Sequence, residues 1–346
     1  MSYPPVQLYA RVHRSSDVQV DEIHAHLVAL SEILQLIYQG RLDLHSAGVE
    51  QALKGGIQNS LHLLSLLRES SGSKAVSCEA VLTQSLGDEI KSALQQGQFS
   101  LQYQPIFRFA SEQFQLDQLD QLVGFEALLR WLHPERGWIP PNQFIPVAEC
   151  SDLIHELGCW VLKTASQQMV SWQRQTGKSL RLNVNLSPRQ LHQPNLSAHI
   201  SQILLETGFS AHHLSLELTE KAAVENYEIA THQLSQLQKL GIQVGLDDFG
   251  TGFSCLSRLD NLPLNFLKID QSFVAKSRWD TLTLILLLAD QINLSVVAEG
   301  IETSEQLEQL QKIGYSMGQG YRLSFPLTPE QVPAFLPQVA TSGHGF

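Results

Sequence analysis

The chain has 346 residues, 43% of them hydrophobic and 16% charged, a balance that implies a sizeable folded core and excludes a largely disordered chain. A formal net charge of -11 argues against a general binder of duplex nucleic acid, whose affinity comes mainly from lysines and arginines that neutralise phosphates. The length exceeds the roughly 250 residues of a (β/α)8 barrel by enough for a small extension.

The N-terminal MSYPPVQLYARVHRSS lacks the apolar core of a secretory signal. The segment Asp21 to Tyr38 then places Ile23, Leu27, Leu30, Leu34 and Ile37 at three-to-four-residue spacing, which predicts an amphipathic helix. A second helical stretch runs from Ala47 to Arg68, and the serine- and glycine-rich SSGSKAVS reads as a linker. The expected domains are therefore a helical N-terminal extension with its linker over 1–78 and a main domain over 79–346. None of the chemical groupings described below precedes this boundary, so the extension is read as a helical pair that packs on the main domain or on a partner protein.

Beyond the linker, short β-rich runs alternate with helical ones. SLQYQPIF, LVGFEALLRW, RLNVNLS, LSLELTE, QVGLDDFG, FLKID, SVVAEGIE and YSMGQGY read as strands with their ends. Ile154 to Arg174, Lys221 to Leu240, Thr281 to Ile292 and Ser304 to Ile313 supply intervening helices. The alternation predicts an α/β fold with a largely parallel sheet covered by helices, either open or closed as a barrel. No GxGxxG turn follows the first strand, which favours the barrel over a dinucleotide-binding sheet. Cys78, Cys150, Cys159 and Cys255 form no CxxC pair and read as reduced thiols. The most apolar run, Leu282 to Ala289, is far shorter than the roughly 18 residues of a membrane span. A cytoplasmic protein is expected.

Several strand-like runs end in residues that an apolar core would exclude: Glu126, Asn185, Glu217, Asp247 with Asp248, Lys268, Glu299 and Gln319. In a barrel of parallel strands the carboxyl ends converge on one face, so these sequence-distant groups would meet. Two like charges about 4 Å apart repel by about 4 kcal/mol at an effective dielectric near 20, so a cluster of carboxylates needs cations or must protonate. Hard oxygen donors without cysteine ligands favour magnesium or manganese over zinc. Adjacent strand residues face opposite ways, so Asp247 and Asp248 reach one site only at a strand end or bulge. The glycines of DDFGTGFS suit a tight loop over a ligand.

Taken together, YQPI, EALLRW, FIPVAE, NLSPRQL, ELTE, DDFGTG, LKID, AEGIE and QGY, in this order over about residues 82 to 337, resemble the EAL family of cyclic di-GMP phosphodiesterases. The resemblance implies a (β/α)8 TIM-like barrel of the EAL type with one strand reversed, a homodimer, and two divalent cations, Mg2+ or Mn2+. It implies that Glu126, Asn185, Glu217 and Asp247 hold one ion. Asp247 would bridge to a second ion, held by Asp248 and by Glu299 directly or through water. Lys268 would position the attacking water or help to deprotonate it, Gln319 would support the water and metal network and the substrate, and Arg130 would contact a substrate phosphate. Glu220 is similar to the family's loop-anchoring glutamate, and Glu302 to a water-binding carboxylate behind the metal ligands. The implied reaction opens one diester link of cyclic di-GMP to give linear 5'-pGpG, which would lower the level of the second messenger.

Some positions depart from the family pattern. FASEQFQLDQLDQ lengthens the connection between YQPI and EAL, Phe125 replaces a small residue, Asp152 replaces a glycine, Cys255 replaces a serine, and Phe325 stands where a basic residue is common. The span from LKID to AEG is also short. None of these removes an implied ligand. The alternative reading is a non-catalytic cyclic di-GMP receptor that signals through a partner.

Overall fold

The computed structural model describes residues 78–109, 121–225, 227–250, 259 and 261–336. The helices expected between Asp21 and Arg68, and the linker after them, lie outside the described residues. The chain divides into two compact units, Met1–Gln84 and Ser85–Phe346, and the second carries the architecture.

Helix α1 (Cys78–Gln96) leads into a hairpin of β1 (Phe99–Arg108) and β2 (Leu122–His133), antiparallel with Phe99 opposite Trp131. The short β3 (Gly137–Ile139) pairs with β2. From β2 the sheet continues in parallel through β4 (Arg181–Asn185), β5 (Leu214–Thr219), β6 (Gln243–Phe249), β7 (Phe266–Ile269), β8 (Ser295–Ala298) and β9 (Met317–Gly318). β9 pairs antiparallel with β1, and the β1–β2 pairing closes the ring. The expected (β/α)8 barrel with one strand reversed is thus the architecture observed, and β1 is the reversed strand.

Local sequence explains the elements. β5 and β7 are buried along nearly their whole length: FLKI reads as an apolar run broken by Lys268, whereas LSLELT alternates strictly and buries its polar members Ser215 and Glu217 as well. Helices α2 (Pro141–Glu149), α3 (Leu153–Thr176), α4 (Pro188–Leu191) and α5 (Leu196–Thr207) follow β3 and β4. α6 (Glu220–Glu225), α7 (Tyr227–Lys239), α8 (Gln271–Ala275), α9 (Trp279–Gln291), α10 (Ser304–Ile313) and α11 (Val332–Phe335) complete the coat. α10 starts at a capping box in which Thr303 and Gln306 satisfy each other's backbone N–H groups, and it stops at Gly314 with φ 109°. No helix among the described residues is long and apolar enough to cross a membrane.

The main core lies between the barrel wall and the helices, with Leu182, Leu216, Val244 and Leu267 fully covered. A second cluster seats α1: Ile90 and Ala93 pack with Phe99, Trp131, Phe144, Ile154 and Leu157. The helix expected over Lys221 to Leu240 is described on both sides of residue 226, as α6 and α7. One difference from the sequence reading stands out: β3 with the short helices α2, α4 and α8 has no counterpart in the periodicity.

Candidate functional site

All parallel strands present their carboxyl ends on the same face, and the register there aligns Asn185 with Glu217, and Thr219 with Asp247. At the centre of that face is Lys268 of β7, which is 1% exposed. Its Nζ lies 2.7 Å from Glu299 Oε1, 2.8 Å from Glu217 Oε2, 3.1 Å from Glu126 Oε2 and 3.3 Å from Asp247 Oδ1. Groups spread from β2 to the end of β8 therefore meet around one ammonium.

Amides complete the arrangement. Asn185 Nδ2 donates to Glu126 Oε1 at 2.9 Å, and Gln319 Nε2 donates to Glu126 Oε2 at 2.8 Å and Glu299 Oε1 at 2.9 Å. One level deeper, Asn183 Nδ2 donates to Glu217 Oε1 at 2.5 Å. Carboxylates only accept, so the amide nitrogens face them.

This crowding splits the acidities. Burial disfavours charge on Lys268, but Glu126, Glu217, Glu299 and Asp247 outweigh it and hold the ammonium well above the ordinary lysine value. Burial pushes Glu217 well above the usual carboxylate range; Lys268 opposes this, while Glu126 and Asp247 reinforce it. Burial likewise pushes Glu299 up to about 7 against the pull of Lys268. Glu126 goes the other way. Burial would raise it, but Lys268 and hydrogen bonds from Gln319, Lys268 and Asn185 keep it below its ordinary value.

Asp248 sits at the end of β6 in the left-handed region, with φ 55°. The register between β6 and β7 also shifts between Leu246 and Phe249, the irregularity that two adjacent inward carboxylates require. Burial raises the Asp248 carboxyl, with Asp247 and Asp270 adding to the effect. Single oxygens of Asp247, Asp248 and Glu299 lie within 4.8 Å of one another. Nearby, the buried Gln319 Oε1 has no hydrogen-bond partner among the described residues. Hard oxygen donors gathered this closely, beside an unmatched acceptor, fit magnesium or manganese.

The cluster opens into a cavity of about 230 Å³ lined by Glu126, Asp247, Lys268, Glu299 and Gln319, with Glu302 and Tyr321 at its side. A second, larger cavity of about 560 Å³ reaches Arg130, Asn185, Glu217 and Asp248. Arg130 is held by its Nε donating to Gln102 Oε1 at 2.8 Å. The departures noted in the sequence leave the acidic cluster intact. Phe125 packs in the core against Tyr103 and Trp172, Asp152 pairs with Arg189 at 3.2 Å, and Phe325 stacks on Tyr321 with ring centroids 4.6 Å apart. Cys255 lies outside the described residues.

Glu220 is buried where α6 begins, and its Oε2 accepts from Gly250 N at 3.4 Å, two residues beyond Asp248. Glu220→Ala should release the end of β6, where Asp248 holds a backbone conformation that few non-glycine residues adopt. Calorimetric titration with manganese is expected to show affinity weakened by about 10–100-fold at the weaker of two sites. An unchanged isotherm would show that this hydrogen bond does not position Asp248.

The EAL domain family model matches residues 88–326. A signalling protein of Caulobacter vibrioides described as uncharacterized is 42% identical over 246 residues, covering 70% of this chain and 29% of that protein. The cyclic di-GMP phosphodiesterase PdeR of Escherichia coli is 38% identical over 247 residues, 70% of this chain and 36% of that protein. The solved structure of PaMucR phosphodiesterase in complex with c-di-GMP superposes with a TM-score of 0.66 at 36% identity, covering 72% of this chain and 99% of that one. The chain thus spans about a third of the length of these curated relatives.

Proposed function

This chain belongs to the EAL domain family, and from that membership we propose that residues 79–346 form a cyclic di-GMP phosphodiesterase that yields linear 5'-pGpG. One observation carries the reading: Glu126, Glu217, Asp247 and Glu299 converge on Lys268, with Asp248 beside them. The acidic set offers oxygen donors and no serine, cysteine or histidine nucleophile, so water is the attacking group.

Glu126, Asn185, Glu217 and Asp247 would hold one divalent cation, and Asp247, Asp248 and Glu299 a second. A bound pair of such ions lowers the pKa of water and stabilises charge on the phosphoryl and leaving oxygens. Lys268, kept protonated by its carboxylates, donates hydrogen bonds from Nζ, so it orients water and offsets negative charge. Arg130 faces the larger cavity, where a phosphate oxygen would meet its guanidinium. Gln319 fixes the Glu126 and Glu299 carboxylates relative to each other. Glu302 lines the smaller cavity as a carboxylate for ordered water.

The test is incubation of the full chain with cyclic di-GMP and magnesium or manganese, followed by chromatography, with calorimetry of nucleotide binding alongside. Stoichiometric formation of pGpG is expected. Tight nucleotide binding without product at any magnesium or manganese concentration would assign the non-catalytic receptor role instead.

The proposal extends to a homodimer and to a cytoplasmic setting, where a helical extension over residues 1–78 serves a protein partner. The outer face of α9 supports the dimer, because Leu284 and Leu287 are 67% and 58% exposed on a helix whose other face is already buried. Sedimentation of the full chain at micromolar concentration should give a dimer, and Leu284→Glu with Leu287→Glu a monomer. A wild-type monomer would end the assignment.

A further inference from the structure

We propose that Asn183 is a positioning residue of this site, one that sets the plane of the Glu217 carboxylate and thereby the strength with which the acidic cluster holds a divalent cation. The inference rests on the phosphodiesterase reading above and assigns a role to a residue outside the strand-end set.

Within β4 the side chains alternate, so Leu182 and Val184 enter the core while Asn183 shares the barrel-interior side with Asn185. Asn183 is 6% exposed, and its strand neighbours are Glu126 on β2 and Ser215 on β5. An asparagine there is costly unless its amide is bonded. Its Nδ2 takes Glu217 Oε1 while Lys268 Nζ takes Glu217 Oε2. Two donors on two different oxygens fix the carboxylate about its last torsion, which is otherwise broad and nearly two-fold. Glu217 itself is fully buried, so loss of the amide would leave Oε1 unmatched and free to turn. Asn183 lines neither cavity, whereas Asn185 lines the larger one and Gln319 the smaller. It therefore acts through Glu217 and not on substrate.

The experiment uses the nucleotide-free full chain carrying Asn183→Ala, Asn183→Leu or Asn183→Ser, titrated calorimetrically with manganese beside steady-state assays. In the Ala and Leu variants the dissociation constant for manganese should rise by about 10–100-fold, the cost typical of losing a group that orients a metal ligand. Turnover at limiting metal should fall in parallel, while KM for cyclic di-GMP at saturating metal stays within about threefold. Asn183→Ser, whose hydroxyl can still donate, should recover part of the affinity. Melting in EDTA serves as the folding control, and Asn183→Leu, close in volume, carries the test if the alanine variant fails to fold. Manganese affinity within about twofold of wild type in whichever of these variants folds would reduce Asn183 to a satisfied interior amide. Wild-type protein that binds manganese but makes no product would overturn the hydrolase reading and leave the titration to decide the role of Asn183.

Discussion

Lys268→Met should lower turnover by about 10²–10³-fold, the usual loss when a preorganised donor is removed from a charged transition state. The substitution keeps most of the side-chain volume but deletes the only cation that Glu126, Glu217, Asp247 and Glu299 share in the described structure. Nucleotide binding should survive, because Lys268 builds neither wall of the larger cavity. The variant also carries a stability signature. Breaking a buried ion pair from one side costs about 3–5 kcal/mol because the remaining charges stay uncompensated. In EDTA the variant should therefore melt well below wild type, and magnesium should raise its melting temperature by more than it raises that of wild type, since the ion takes over the ammonium's task. Undiminished hydrolysis would remove Lys268 from the mechanism. Equal melting temperatures in EDTA would mean that the carboxylates protonate in place of the lost cation.

The barrel and most of this site were legible in the sequence for a definite physical reason. Polar residues at or near strand ends break an apolar run, and a parallel sheet brings successive strand ends to one face, so Asn185, Glu217, Asp247 and Lys268 stand apart from the core by position, whereas Glu126, expected at a strand end, lies inside β2 (Leu122–His133) and is marked by its EAL motif. Asn183 carries neither mark. It sits mid-strand in RLNVN, and the available signal was parity: Asn183 and Asn185 are two apart and share a face. The opposite shifts of Glu126 and Glu299 were equally beyond sequence, because they depend on neighbours met only in three dimensions: Lys268 with the amides of Gln319 and Asn185 lowers Glu126, while Asp247 and Glu126 add to burial in raising Glu299. β3 escaped because three residues are too few to show alternation. Glu220 was read as a loop anchor from its motif, and its bond to Gly250 N gives that reading a geometric basis.

Removal of divalent cations should abolish hydrolysis, and the pH dependence of that removal tests the electrostatics of the cluster. In the ion-free protein burial raises Glu217 and lifts Glu299 to about 7, so both hold protons that the unfolded chain has already released. Where the folded state binds more protons, stability falls as pH rises, so ion-free protein should lose melting temperature between the ordinary carboxylate range and about pH 7. Glu126 is shifted downward, and its contribution is present above the ordinary carboxylate pKa and lost only in acid below that range. Lys268 is raised, so its contribution is constant throughout this window. A divalent cation binds the deprotonated carboxylates and competes with the protons, so binding releases protons and tightens as pH rises through about 7. Melting curves from pH 5.5 to 8.5, with EDTA or saturating magnesium, should therefore diverge as pH increases. Assays over the same range should need more magnesium at the acid end. Parallel curves with a constant gap would mean that Glu217 and Glu299 do not exchange protons for metal, and the acidic cluster would then not be the cation site.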